Sequence, residues 1–264
     1  LGRMNHTIED ISHLSEVIHG DNREFLLHTD RIWDLAVDDP PYFKGPERRK
    51  FYGSKKSPIG VKRVDYPVTG QWNVPDKEYF HLLRSKTKNQ IIWGSNYFDF
   101  GLWEPHKTPR KGEEFEKWLI SHPTGWIVWD KLNGRSSFND FELAWTSFDR
   151  PTVVFTYMWN GMCQGKSISE GHIMRGNKSL NEKKIHVTQK PLDLYRWIFR
   201  DYANPGQSIL DPHCGSQSSR IAAFDFGGLY YTGLEVDQIY FEKGNRRTEK
   251  YINAYLNQLK LQFA

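Results

Sequence analysis

The sequence predicts an α/β fold, a mostly parallel sheet with helices on both faces, from three observations. Strand-like and helix-like stretches alternate along the 264 residues, the pattern that covers a parallel sheet with helix layers. Two short apolar stretches run out into Asp-Pro: Asp34-Leu35-Ala36-Val37-Asp38 before Asp39-Pro40-Pro41-Tyr42, and Ser208-Ile209-Leu210 before Asp211-Pro212. The second opens a strand, tight loop, helix, strand unit whose last residue, Glu235, stands 20 residues after Gly215. That is the spacing at which an acid meets ribose hydroxyls in nucleotide-binding α/β units.

In chain order, the first half reads as strands near 34–38, 90–94, 125–129 and 151–157, with helices near 75–87, 113–121 and 139–147. Residues 34–38, with Leu35, Ala36 and Val37 at the centre, are stopped by two prolines, which cannot donate to a sheet ladder. Trp126 and Trp129 mark the apolar strand at 125–129 as core. The second half reads as a helix at 190–202 that starts at Gln189-Lys190-Pro191. Strands at 207–210 and 230–235 and helices at 217–226 and 238–259 follow. Residues 43–73 are too long for a simple connector, and functional loops are the usual reason for such length.

Composition is that of one globular domain over residues 1–264. Hydrophobic residues make up 38% and mean hydropathy is −0.69. No apolar run approaches the ~18 residues of a membrane helix, and Leu1-Gly2-Arg3-Met4-Asn5-His6 lacks the apolar core of a secretory signal. Two cysteines, Cys163 and Cys214, are too few for a disulfide framework or a zinc site. A cytoplasmic protein with no membrane partner and no metal is expected.

The net charge of +4 is unevenly placed. Residues 44–63 hold Lys44, Arg48, Arg49, Lys50, Lys55, Lys56, Lys62 and Arg63 against Glu47 alone, with Phe43, Phe51 and Tyr52 interleaved. Basic residues among aromatics suit phosphate contacts and base stacking. In isolation the run equally fits a solvated loop; its place directly after Tyr42 favours nucleic acid. A second basic, Gly-rich stretch, 164–184, contains Lys166, Arg175, Lys178, Lys183 and Lys184.

Asp39-Pro40-Pro41-Tyr42 places a carboxylate, a backbone carbonyl and an aromatic face at the carboxyl end of a strand, where open α/β sheets bind ligands. Two acceptors beside a stacking ring suit a planar base that carries an amino group. With Ser208-Ile209-Leu210-Asp211-Pro212-His213-Cys214-Gly215-Ser216 and His186-Val187-Thr188-Gln189-Lys190-Pro191, the chain resembles the amino-methyltransferases of DNA that use S-adenosylmethionine. Their motifs are Asp-Pro-Pro-Tyr, Asp-Pro-Phe-x-Gly-Ser-Gly and His-Pro-Thr-Gln-Lys-Pro. Weaker matches are His19-Gly20-Asp21, Gly94-Ser95-Asn96-Tyr97-Phe98 and Trp129-Asp130-Lys131. The catalytic motif precedes the cofactor motif, as in the family's beta group.

The resemblance implies a Rossmann-like class I methyltransferase fold, permuted so that the catalytic half comes first. It implies double-stranded DNA as partner and a base flipped out for reaction, with a homodimer left open. Asp39, Pro40, Pro41 and Tyr42 become the catalytic turn. Asp211, Gly215 and Ser216 are expected around the amino-acid part of S-adenosylmethionine, Glu235 at its ribose and Asp21 near its adenine. Gln189 and Lys190 lie at a helix start, where carboxylates bind favourably. DNA contacts fall to Lys44, Arg48, Arg49, Lys50, Lys55, Lys56 and Lys178, with residues 43–73 as a DNA-contacting loop and 160–186 as the target-recognition region. Asp at the first motif position goes mostly with adenine N6 in the family, and Ser with cytosine N4.

Cytosine carbon-5 chemistry needs a nucleophilic cysteine after a proline; Cys163 follows Met162 and Cys214 follows His213. The cofactor motif departs from the family at three places. His213 replaces its Phe, Gln217 its second glycine, and Ser218-Ser219 its Thr-Thr pair. Glycine is usual where backbone approaches a ligand closely, so Gln217 either crowds the cofactor or turns its side chain away. Crowding would leave a non-catalytic nucleic-acid-binding module. Methylation of RNA or of a protein glutamine amide is a third reading of such a site.

Overall fold

The computed structural model describes residues 14–42, 66, 73–98, 125–132, 140–160, 163–171, 173 and 176–262. The described chain is α/β and divides into two compact units. The first comprises Leu1–Asn22, Phe43–Asn73 and Lys183–Ala264, the second Arg23–Tyr42 and Val74–Glu182.

In the first unit three parallel strands lie in the order β1 (Ser15–His19), β10 (Tyr230–Glu235), β9 (Ser208–Asp211). Strands β9 and β10 are buried almost end to end, as strands covered on both faces must be. Three helices accompany them: Leu192–Tyr202, Ser218–Phe226 and Gln238–Gln262. The first of these begins after Pro191, whose fixed φ suits a helix start, and buries Leu194, Ile198 and Phe199 on one stripe. Strand β1 is not predicted by the sequence pattern; its polar residues Ser15, Glu16 and His19 give little hydrophobic signal.

The second unit runs in the order β2 (Trp33–Asp38), β3 (Thr87–Trp93), β5 (Phe141–Thr146), β4 (Trp126–Asp130), β6 (Val153–Thr156). Strands β2 and β3 are parallel, as are β4 and β6, while β5 is antiparallel to both neighbours. The helix Lys77–Ser85 crosses from β2 to β3; Asp76 caps it by accepting from the Tyr79 amide at 2.9 Å. Tyr79, Phe80 and Leu83 form its buried face. A two-stranded hairpin, β7 (Trp159–Asn160) and β8 (Cys163–Gln164), follows β6.

One expected element is wrong. Residues 139–147 do not form a helix: Phe141–Thr146 is strand β5. Glu142, Leu143 and Ala144 are good helix formers, but the slot between β3 and β4 supplies backbone partners on both sides and buries Ala144, Trp145 and Thr146. Tertiary pairing overrides a weak local preference. The helix expected at 75–87 stops at Ser85, and Thr87 already belongs to β3. The helix expected at 113–121 lies outside the described residues.

Candidate active site

The turn expected to be catalytic belongs to the second unit. Strand β2 ends at Asp38, whose buried carboxylate accepts from the Tyr79 hydroxyl at 2.9 Å, so the strand end is tied to the following helix. Beyond it, Asp39-Pro40-Pro41 turns the chain so that the Tyr42 hydroxyl donates to Asp39 Oδ1 at 2.5 Å. The Tyr42 ring lies nearly parallel to the exposed ring of Tyr97, at 5.6 Å and 17°, and edge-on to Phe98 at 6.0 Å.

This cluster needs Gly94. Its φ is +68°, and a Cβ there would stand 2.2 Å from Tyr42 Cε1. Ser95 locks the same turn: its hydroxyl donates to the Ile92 carbonyl at 2.9 Å and accepts from the Trp145 amide at 2.7 Å. The strand mistaken for a helix is therefore part of the scaffold that aims Tyr97 at Tyr42.

The loop expected to hold the methyl donor belongs to the first unit. After β9, Asp211 Oδ1 accepts from the His213 amide at 3.1 Å, and its other oxygen accepts from Ser219 Oγ. The Asp211 carboxylate thus holds the loop to the start of the helix Ser218–Phe226. Gly215 takes a left-handed φ of +45°, and its amide hydrogen-bonds the Glu235 carboxylate, which also accepts from the Asp237 amide at 2.8 Å. Burial pushes the Glu235 carboxyl above the usual range, and those two amides act against the shift. The end of β10 is in this way stitched to the loop after β9.

Residues 19–22 join the same place. Asn22 Nδ2 donates to the Pro212 carbonyl at 3.0 Å and lies 2.8 Å from His213 Nε2. Its neighbour Asp21 is exposed, and a Cβ on Gly20 would meet nothing within 4 Å. Lys190 is 5% exposed, hence no surface lysine, and its carbonyl accepts from Ser218 Oγ at 3.1 Å. Gln189 is equally buried and accepts from the Ile185 amide at 2.8 Å. Both residues are built into the wall beside the loop.

His186 completes this wall. Its ring packs edge-on against Tyr240 at 4.2 Å, and Cδ2 would lie 3.7 Å from a Cβ on Gly215. Burial drives its pKa from 6.5 down to about 4; Asp237 opposes the shift and Lys190 adds to it. Because the folded pKa lies below the unfolded one, the unfolded chain takes up the proton first as pH falls. Stability from this site is full above about pH 6.5 and is lost towards about pH 4. Replacing His186 by Phe, which keeps the ring contact, should flatten the fall in thermal midpoint across that interval; a scan against pH checks it.

Gln217 answers the question raised by the missing glycine. It precedes the helix rather than opening it, with φ 59° and ψ 32°, the left-handed conformation a glycine would adopt. For a residue with a Cβ this costs about 1–2 kcal/mol. The fully buried side chain turns away from the loop, towards the helix Gln238–Gln262. Its Nε2 donates to Asn245 Oδ1 at 2.9 Å, while its Oε1 accepts from Arg220 at 3.0 Å and from Thr248 Oγ1 at 3.1 Å. Three such bonds, each worth about 0.5–1.5 kcal/mol net, offset the backbone cost. Crowding of the loop by this side chain is not what the geometry shows.

The second basic stretch folds back on itself. Gln164 clamps it: Nε2 donates to the Glu182 carbonyl at 2.9 Å and Oε1 accepts from the Glu182 amide at 2.7 Å. Lys178 begins a short 3-10 turn, Lys178–Leu180. Lys44, Arg48, Arg49, Lys50, Lys55 and Lys56 lie outside the described residues. The sequence leaves Asn22 without an assigned role and gives no role to Arg220, Gly244, Asn245, Arg247 or Thr248. Arg247 donates to the Ser216 carbonyl at 2.6 Å. The only signal for the last four was their spacing of three and four residues, which puts them near one face of the predicted helix at 238–259.

The sequence model of the DNA methylase family matches residues 55–246. The chain belongs to that family, the amino-methyltransferases of DNA that use S-adenosylmethionine. The match starts downstream of Tyr42, so membership does not rest on the catalytic tetrapeptide. The chain is similar to the type II methyltransferase M.HpaI of Haemophilus parainfluenzae, 25% identical over 84% of this chain and 70% of that protein. It is also similar to the type II methyltransferase M.HindIII of Haemophilus influenzae, 25% identical over 63% of this chain and 60% of that protein. A solved structure of M1.HpyAVI with S-adenosylmethionine aligns over 88% of this chain and 98% of that one, at 16% identity and a TM-score of 0.48. No described helix is long and apolar enough to cross a membrane.

Proposed function

We propose that this DNA methyltransferase acts on the exocyclic amine of a base flipped out of duplex DNA, and that the base is adenine, methylated at N6. The observation that carries the reading is the turn after β2, where the Asp39 carboxylate and the Tyr42 ring are held together against Tyr97. An exocyclic amine is a poor nucleophile because its lone pair is delocalised into the ring. Asp39 and the Pro40 carbonyl each accept one of its N–H groups, which localises the lone pair and orients the nitrogen. Tyr42 offers the base a stacking face, Pro41 keeps the turn rigid, and Asp39 or water takes the proton that leaves after transfer.

S-adenosylmethionine supplies a methyl group already activated on a sulfonium. The first unit fits it: a left-handed glycine at 215, open space beside Gly20, a buried carboxylate at Glu235 and a buried lysine at 190 stand around one loop. In this reading Gly215 and Ser216 line the amino-acid part, Asp211 shapes the loop, Glu235 takes the ribose hydroxyls and Asp21 the adenine. Gln189 and Lys190 form the adjoining wall. The segment 43–73 and the target-recognition region 160–186 contact DNA through Lys44, Arg48, Arg49, Lys50, Lys55, Lys56 and Lys178. The enzyme works in the cytoplasm.

Asp39 favours adenine by the family's preference for Asp at this position. The test is nucleoside digestion and mass spectrometry of DNA from cells that express the chain. N6-methyladenine is expected; N4-methylcytosine would keep the chemistry and overturn the target.

A further inference from the structure

Gln217 is a buried glutamine in a backbone conformation that favours glycine, and every side-chain bond described for it points away from the loop. Asn245 and Thr248 hold it from the helix Gln238–Gln262, and Arg220 from the helix that it caps; Arg220 also donates to Asn245 Oδ1 at 2.9 Å. Gly244 is the matching piece: a Cβ there would lie 2.7 Å from Gln217 Nε2. From the same helix, Arg247 grips the Ser216 carbonyl. The C-terminal helix thus fastens two consecutive residues of the loop that follows Gly215.

We propose that Gln217 is a positioning residue, a latch through which the C-terminal helix holds the Gly215-Ser216 backbone in the form that receives S-adenosylmethionine. The inference rests on the reading of this loop as the methyl-donor site. Where a glycine adopts the left-handed form freely and also leaves it freely, a glutamine bonded at both ends of its amide is fixed there. The side chain replaces freedom with a tether, and the loop is preorganised before the ligand arrives.

Calorimetry with S-adenosylhomocysteine on the purified chain tests this, alongside KM and kcat for S-adenosylmethionine. Gln217→Gly keeps the backbone conformation and removes the tether. Gln217→Asn keeps a left-handed preference but is too short to reach the helix. Both should bind roughly tenfold more weakly, about what one net hydrogen bond is worth, with KM raised and kcat at saturation little changed. Thr248→Val, which touches no ligand, should shift affinity in the same direction and serves if the Gln217 variants fail to fold. Gly244→Ala should weaken binding alone yet add little on top of Gln217→Gly. Wild-type binding with equal or tighter binding by Gln217→Gly overturns the latch and leaves the site reading intact. No binding by the wild-type chain overturns both.

Discussion

Replacing Asp39 by Ala should lower methyl transfer to duplex DNA by roughly 10²–10³-fold or more, the usual cost of removing one preorganised electrostatic partner. Binding of S-adenosylhomocysteine should stay close to wild type, because the residues around the proposed cofactor loop belong to a different unit of the chain. Asp39→Asn keeps an acceptor oxygen and loses the charge, so it should retain part of the activity. The Tyr42 hydroxyl bonds Asp39 within the turn, so Tyr42→Phe separates the orienting bond from the stacking face. Single-turnover transfer measured beside calorimetry reads both effects, and wild-type rates from Asp39→Ala would overturn the role assigned to the carboxylate.

The second large effect is expected at a residue with no functional atoms of its own. Gly94→Ala forces a Cβ to within 2.2 Å of the Tyr42 ring and strains a φ of +68°. The ring must leave its place against Tyr97, so the variant should resemble Tyr42→Ala. Base stacking is worth about 1–3 kcal/mol, which raises the apparent KM for DNA by roughly 5–150-fold. Affinity for S-adenosylhomocysteine should change little. A variant with wild-type KM for DNA would show that the Tyr42–Tyr97 arrangement has no part in capturing the base.

Much of the fold was legible in the sequence, because proline and glycine mark the places where its strands end. Two prolines after Asp39 announced the end of β2, and Asp211-Pro212 with Gly215 announced the end of β9. The strand, loop, helix, strand unit from 208 to 235 is present as expected. Its local order is set by short-range bonds, such as Asp211 to the His213 amide. Strand β5 was illegible because its local preference is helical and one of its two partners, β3, is distant in the chain.

The direction of the Gln217 side chain was illegible for a related reason. It depends on Gly244 leaving room and on Asn245 and Thr248 standing opposite, facts of packing between two helices that spacing alone cannot supply. Likewise Tyr97 stands in a weak motif match, and its importance appears only when its ring is found stacked on Tyr42. The motif puts Lys190 at a helix start, but its burial beside the loop is again a fact of packing.

In the proposed mechanism the Asp39 turn directs methyl transfer to an amino group of a base. The most direct measurement incubates the purified chain with unmodified duplex DNA and methyl-labelled S-adenosylmethionine, then digests the DNA to nucleosides. Label is expected on the exocyclic nitrogen of adenine, present with wild-type protein and absent with Asp39→Ala. Label on cytosine carbon-5, or no label in DNA from protein that demonstrably binds S-adenosylhomocysteine, would contradict it.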